Sequence, residues 1–179
     1  MRQRRVMSLV VRGKVWKFGD DVSTDFMAPG FSRHQGRGPR DEAMFCMRSN
    51  RPGWAEKVKK GDIIVGGSNF GCGSSRMEAP KNLITLGISG IVAESYGRIF
   101  YRNCIASGLP VLMYKGISSH FEEGDIAEVD YRKGLVTNCR TGNQLTANKL
   151  PDVALKILEA GGIIPLLKKE YQSRPHAES

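Results

Sequence analysis

Between Gly66 and Pro80 the chain reads GGSNFGCGSSRMEAP, and this stretch limits the fold more than any other. The short apolar run Asp62–Gly66 leads into it, and a segment predicted to be helical, Pro80–Leu86, leads out and stops at Gly87. Gly71 and Gly73 admit backbone conformations closed to other residues and let a ligand come close to the main chain. A strand, a tight bend and a helix must therefore follow one another here.

The rest of the chain supplies layers around that unit. Leu9–Phe18 is rich in β-branched and aromatic residues and is expected to form a strand, ended by the turn at Gly19-Asp20-Asp21. From Asp21 to about Arg40 the residues lack apolar period and read as a long loop, of the kind that is usually functional or mobile. Short helices are expected over Asp41–Met47 and Pro52–Lys60. Residues 89–95 (SGIVAES) form a buried strand, Tyr96–Ser107 an amphipathic helix closed by Gly108, and Val111–Tyr114 a further strand. Residues 124–145 read as a β-meander, since IAEVD alternates and the turns fall at Lys133-Gly134 and Thr141-Gly142. Helices at Val153–Gly161 and Ile163–Lys169 complete the chain. The fold class is α/β, in mixed layers rather than a regular βαβ succession. At 179 residues a single domain is expected, with a core over about 12–169 and short polar tails.

The glycine bend also carries the chemistry. Ser74, Ser75 and Arg76 follow it directly and lead into a helix. Backbone N–H groups at a helix N-terminus favour anions, and an arginine can meet a carboxylate through two parallel hydrogen bonds. Such a place suits a carboxylate or phosphate ligand with a serine hydroxyl beside it. Equally, Ser75-x-x-Glu78 fits a capping box, in which both side chains only satisfy free backbone donors. The segment is neither a nucleotide P-loop nor a lipase elbow, because it lacks Gly-Lys-Ser/Thr and Gly-x-Ser-x-Gly. Cys72 between two glycines is a candidate nucleophile with His34 or His120 as base, but a small side chain filling a turn is the preferred reading. Upstream, Asp25 in Asp21-Val22-Ser23-Thr24-Asp25 is either part of a plain turn or a buried carboxylate that orients a base or the arginine.

The four cysteines, Cys46, Cys72, Cys104 and Cys139, form no C-x-x-C pair, so no metal or cluster site is expected in this chain. The start offers too short an apolar stretch for a secretory signal and no run reaches membrane-spanning length, which points to the cytoplasm. The net charge of +9 calls for a negatively charged partner or ligand. The Arg/Gly-rich segment SRHQGRGPR makes a basic RNA-binding module the alternative from another class. No RNA-binding motif accompanies it, so a solvated basic face or one docking an acidic protein is preferred.

Taken together, WKFGDDVSTDFMAPG, GSNFGCGSSRMEAP and ESYGRIFYRNCIASGLPVL, in that order, resemble the small subunit of 3-isopropylmalate dehydratase. That subunit is in turn similar to the C-terminal swivel domain of aconitase, and the likeness runs from roughly Arg12 to Lys169. The resemblance implies a swivelling β/β/α domain that closes over a large subunit, as a heterodimer or heterotetramer. A [4Fe-4S] cluster held by that partner would bind the substrate. The implied activity is a hydro-lyase of leucine biosynthesis that isomerises 3-isopropylmalate to 2-isopropylmalate via isopropylmaleate. Ser74 would be the base that removes the C–H proton, Ser75 and Arg76 would bind substrate, and Asp25 would match the aspartate of the family's Thr-Asp motif. Met77-Glu78 stands where the family commonly has Glu-His. Arg33 and Arg37 lie in the substrate loop. Either could meet an extra carboxylate, as in homoaconitase relatives, or face solvent or the partner. Homoaconitate, dimethylmalate and methylmalate-type acids are therefore the alternative substrates.

Overall fold

The strongest apolar runs of the sequence form the centre of a seven-stranded sheet in the computed structural model, which describes residues 9–31 and 38–173. In chain order the elements are β1 (Val10–Lys17), α1 (Thr24–Met27), α2 (Pro39–Ala43), α3 (Trp54–Lys57), β2 (Ile63–Gly66), α4 (Glu78–Leu86) and β3 (Gly90–Ala93). Then follow α5 (Arg98–Ser107), β4 (Val111–Met113), a 3-10 turn at Ile117–His120, β5 (Ile126–Asp130), β6 (Leu135–Asn138), β7 (Gln144–Thr146), α6 (Asp152–Glu159) and α7 (Ile163–Ser173). The strand order is β4-β3-β2-β1-β5-β6-β7.

Strand β1 is the pivot. Its second half, Val15–Lys17, pairs in parallel with β2, and its first half, Val10–Lys14, pairs antiparallel with β5. On one side β2, β3 and β4 continue in parallel; on the other β5, β6 and β7 form an antiparallel meander. β2 and β3 are buried at every position, as expected of parallel strands covered on both faces, whereas β5 alternates exposed and buried. Along β2, Ile64 joins one core with Phe70, Leu83 and Phe100, while Ile63 and Val65 join the other with Val129, Val136 and Leu158. Each such side chain, fully buried, contributes on the order of 2 kcal/mol.

The expected strands and the meander are all present. Half of the sheet, however, is a regular βαβ succession, β2–α4–β3–α5–β4, which corrects the expectation of layers without one. Residues 24–27 are helical instead of loop, and the helix expected at Asp41–Met47 lies at Pro39–Ala43. α5 starts at Arg98 because Tyr96 is held in a parallel bridge with Phe70.

Candidate active site at the glycine bend

The bend between β2 and α4 is clamped from two sides by main-chain hydrogen bonds. On one side the N–H of Gly71 donates to the carbonyl of Val22 (2.7 Å), and the N–H of Thr24 donates to the carbonyl of Cys72 (2.8 Å). On the other, the N–H of Phe70 donates to the carbonyl of Ser95 and that of Gly97 to the carbonyl of Phe70, both at 3.0 Å. Gly71 (φ +78°) and Gly73 (φ +97°) both sit in the left-handed region. A Cβ would fall 2.1 Å from the Phe100 ring at Gly71 and 2.9 Å from Ser23 Oγ at Gly73, so neither position has room for a side chain.

Ser74 emerges from this clamp exposed to solvent. Its Oγ accepts a hydrogen bond from Arg76 Nε at 2.8 Å. The same guanidinium donates through Nη1 to the carbonyl of Ala28 (2.7 Å) and pairs through Nη2 with Asp25 Oδ1 (2.8 Å). Asp25 lies on α1, whose N-cap Ser23 accepts the Asp25 N–H through its hydroxyl (3.1 Å). The buried Asn82 of α4 donates to the Met27 carbonyl (3.0 Å) and ties α1 to the helix that follows the bend. With the Arg76 and Asp25 side chains 25% and 58% exposed, the ion pair contributes at most about 1 kcal/mol to stability. Its consequence is geometric: a cation is held in hydrogen-bond contact with a serine hydroxyl. Such a cation favours the alkoxide over the alcohol, and each unit of pKa depression corresponds to about 1.36 kcal/mol.

Of the residues singled out in the sequence, Ser74, Arg76 and Asp25 come together. Asp25, however, is exposed and not the buried carboxylate expected, because the short helix α1 turns it outward next to the buried Thr24. Ser75 is exposed beside them and caps nothing. The N-cap of α4 is Met77, without a side-chain hydrogen bond, so the capping box does not form. The N–H of Arg76 instead turns back to the carbonyl of Ser74 (2.9 Å), which delays the helix. Arg33, Arg37 and His34 lie outside the described residues. His120 packs edge-on against Tyr114, and the Cys72 backbone bridges Ser23. Sequence reasoning missed Thr24, which is buried with its hydroxyl on the Ser74 carbonyl, as well as Asn82 and the Ala28 carbonyl. A buried asparagine in an amphipathic helix was the one available signal.

A cleft of about 840 Å³ opens near the carboxyl ends of β1 and β3, lined by Lys17, Asp20, Arg51, Glu94 and Glu123 among others. Ser74, Arg76 and Asp25 do not line it. Arg51 there pairs with Glu123 and lies over the rings of Trp16 and Phe18, which engages its charge structurally. Cys46 and Cys104 are buried, and burial pushes both thiols well above their ordinary range, so neither is a thiolate near neutral pH. Among the described residues no three His, Cys, Asp or Glu side chains gather as metal ligands would, and this donor set does not fit an iron–sulfur cluster. No helix of the described residues is long and apolar enough to cross a membrane.

The sheet and its bend define an aconitase-type domain: the family model described as the aconitase C-terminal domain matches residues 41–116. The isopropylmalate/citramalate isomerase small subunit of Methanocaldococcus jannaschii is 49% identical over 92% of this chain and 97% of that protein. A 3-isopropylmalate dehydratase small subunit of Methanopyrus kandleri is 47% identical over 90% of this chain and 94% of its own. A methanogen homoaconitase small subunit of Methanothermobacter thermautotrophicus is 45% identical over 88% and 91%. The crystal structure of a 3-isopropylmalate dehydratase from Methanocaldococcus jannaschii superposes with a TM-score of 0.85 at 36% identity, covering 91% of this chain and 96% of that one. The chain belongs to the family of 3-isopropylmalate dehydratase small subunits. Membership of a small-subunit family implies a large-subunit partner.

Proposed function

We propose that this chain is the small subunit of a cytoplasmic hydro-lyase that converts 3-isopropylmalate to 2-isopropylmalate through isopropylmaleate and works only when joined to its large subunit. The reading is carried by Ser74 Oγ, exposed at the end of a rigid bend and 2.8 Å from Arg76 Nε. The whole chain acts as one swivel-type domain that delivers this hydroxyl to a substrate held across the subunit seam.

Ser74 acts as the base. As alkoxide it takes the proton from the carbon next to a carboxylate; the C–H electron pair becomes the new double bond, and hydroxide leaves from the adjacent carbon. Water then adds with the opposite regiochemistry, and Ser74 returns its proton to the carbon that lost oxygen. Arg76 steadies the alkoxide through Nε, and its Nη2 can exchange Asp25 for a substrate carboxylate, since both are carboxylate oxygens. Ser75 stands beside Ser74 as a further hydrogen-bonding group for substrate. Closure against the partner excludes water and strengthens these contacts. A [4Fe-4S] cluster held by the large subunit would supply the Lewis acid for the leaving hydroxyl, and no residue of this chain is assigned to it. The homoaconitase relative and the arginines at positions 33 and 37 favour a second substrate reading, in which an additional carboxylate is bound.

The test is to purify the chain with its large subunit, reconstitute the cluster and assay a panel of 2-hydroxy dicarboxylic acids. Turnover of isopropylmalate by the mixture and by neither subunit alone is expected. A mixture active on homoaconitate and inert toward isopropylmalate would replace the first substrate with the second.

A further inference from the structure

Thr24 is only 1% exposed, although it is polar and lies next to the exposed Asp25. Its Oγ1 donates to the carbonyl of Ser74 at 3.0 Å, and its own N–H donates to the carbonyl of Cys72 at 2.8 Å. One residue thus holds two peptide units around Ser74, one before it and one after it. The Ser74 carbonyl also receives the N–H of Arg76 at 2.9 Å, so it has two donors and its peptide plane cannot turn without losing both. Gly73 precedes Ser74 at φ +97°, where an added Cβ would meet Ser23 Oγ and Thr24 Oγ1, so the bend admits only glycine there.

We propose that Thr24 is a positioning residue for the reaction: by fixing the Ser74 carbonyl inward, its hydroxyl keeps Ser74 Oγ outward and in register with Arg76 Nε. This rests on the reading of Ser74 as the base. Without the Thr24 hydroxyl the Ser74 carbonyl loses one of its two donors. The bend gains a rotation about the Ser74 peptide, and the Oγ–Nε contact that favours the alkoxide is no longer enforced. A displacement of about 1 Å at a reacting group lowers rate on the order of 100-fold.

The experiment compares Thr24→Val, which keeps the shape and removes the donor, with Thr24→Ser, which keeps the donor and removes a methyl group, both in the complex with the cluster-loaded large subunit. For Thr24→Val, kcat is expected to fall roughly 10- to 100-fold with KM within about twofold of wild type. The ascending limb of its pH–rate profile, which reports the deprotonated base, should move to higher pH, because the serine has lost its enforced cation. Thr24→Ser should recover kcat to within about threefold of wild type. A purely structural threonine would instead give loss of Tm in both variants, with kcat following the folded fraction and no shift of the profile. That outcome overturns the proposal, as does a Thr24→Val kcat within about twofold of wild type or a Thr24→Ser variant as slow as Thr24→Val. If Thr24→Val fails to assemble, Thr24→Ser decides alone: wild-type-like kcat with an unshifted profile is required. Ser74→Ala in the same assay separates the two levels. Normal turnover there removes the base itself, and the proposal with it, whereas a dead Ser74→Ala beside a normal Thr24→Val removes only the positioning role.

Discussion

The two halves of the sheet each contain an arginine–aspartate pair, and the pairs do different work. In the parallel half, Arg76 meets Asp25 at the surface and a third atom of the same guanidinium touches Ser74. In the antiparallel half, Arg140 meets Asp125 through Nε (2.6 Å) and Nη2 (3.2 Å), with the Asp125 side chain 5% exposed. Asn138 donates to the same carboxylate at 2.7 Å and to the His120 carbonyl, so the second pair fastens the meander to the turn before it. The Arg140 side chain is itself 57% exposed, so the two pairs differ in their acid. An exposed Asp25 leaves Arg76 free to exchange partners, whereas the buried, multiply bonded Asp125 is committed to the fold. The bend between β2 and α4 presents a reactive hydroxyl, and the meander presents none of comparable geometry among the described residues.

This contrast predicts that substitutions in the first half change rate and those in the second change stability. Apart from loss of Ser74 itself, the largest effect is expected from Arg76→Lys, which keeps the charge but loses the planar fork that reaches Ser74, Ala28 and Asp25 together. Turnover of the reconstituted complex should fall on the order of 100-fold while Tm changes little. A lysine variant with near wild-type kcat would show that the fork is dispensable. Next, Asp125→Ala should lower Tm by roughly 5 °C or more and leave kcat of the folded complex unchanged, as thermal denaturation and steady-state assays would report.

The acid side of the stability curve sharpens the same point. The Arg140 guanidinium bonded to Asp125 holds that carboxyl well below the usual carboxylate range. A folded-state pKa below the unfolded one means that its stabilisation is complete above about pH 4 and is lost as pH falls further. Wild type should therefore lose stability below about pH 4, and Asp125→Ala should show a shallower acid limb; equal slopes would contradict the assignment. The smallest stability effect is expected from Asp25→Asn, within about 1 kcal/mol in denaturant titration, yet its KM for dicarboxylic acids should change. An unchanged KM would separate Asp25 from the substrate side of Arg76.

The two halves also differ in how much the sequence disclosed. The buried strands β2 and β3 were legible as short apolar runs and the meander as alternation between glycine turns, because those patterns follow directly from which faces are covered. The bend was legible because Gly71 and Gly73 stand where a side chain would collide. α1 was not: four residues, TDFM, have no period of their own and are helical because Ser23 caps them and the Cys72 carbonyl fixes Thr24. The capping box misled because Arg76 N–H returns to Ser74 and delays the start of α4, a tertiary outcome that residue spacing does not encode. Arg76 meets Asp25 and Ala28 across some fifty residues of chain. That Asp25 orients the arginine was one of two alternatives the residues left open, since spacing could not choose it over a plain turn. The roles of Asn82 and Thr24 depend on carbonyls far away in the chain.

The account stands on Ser74 as the proton acceptor. Its most direct test is the turnover of Ser74→Ala in the cluster-loaded complex, measured at matched affinity for the large subunit and matched Tm. A loss on the order of 10²- to 10⁴-fold with assembly intact is predicted. Near-normal turnover from that assembled variant would contradict it.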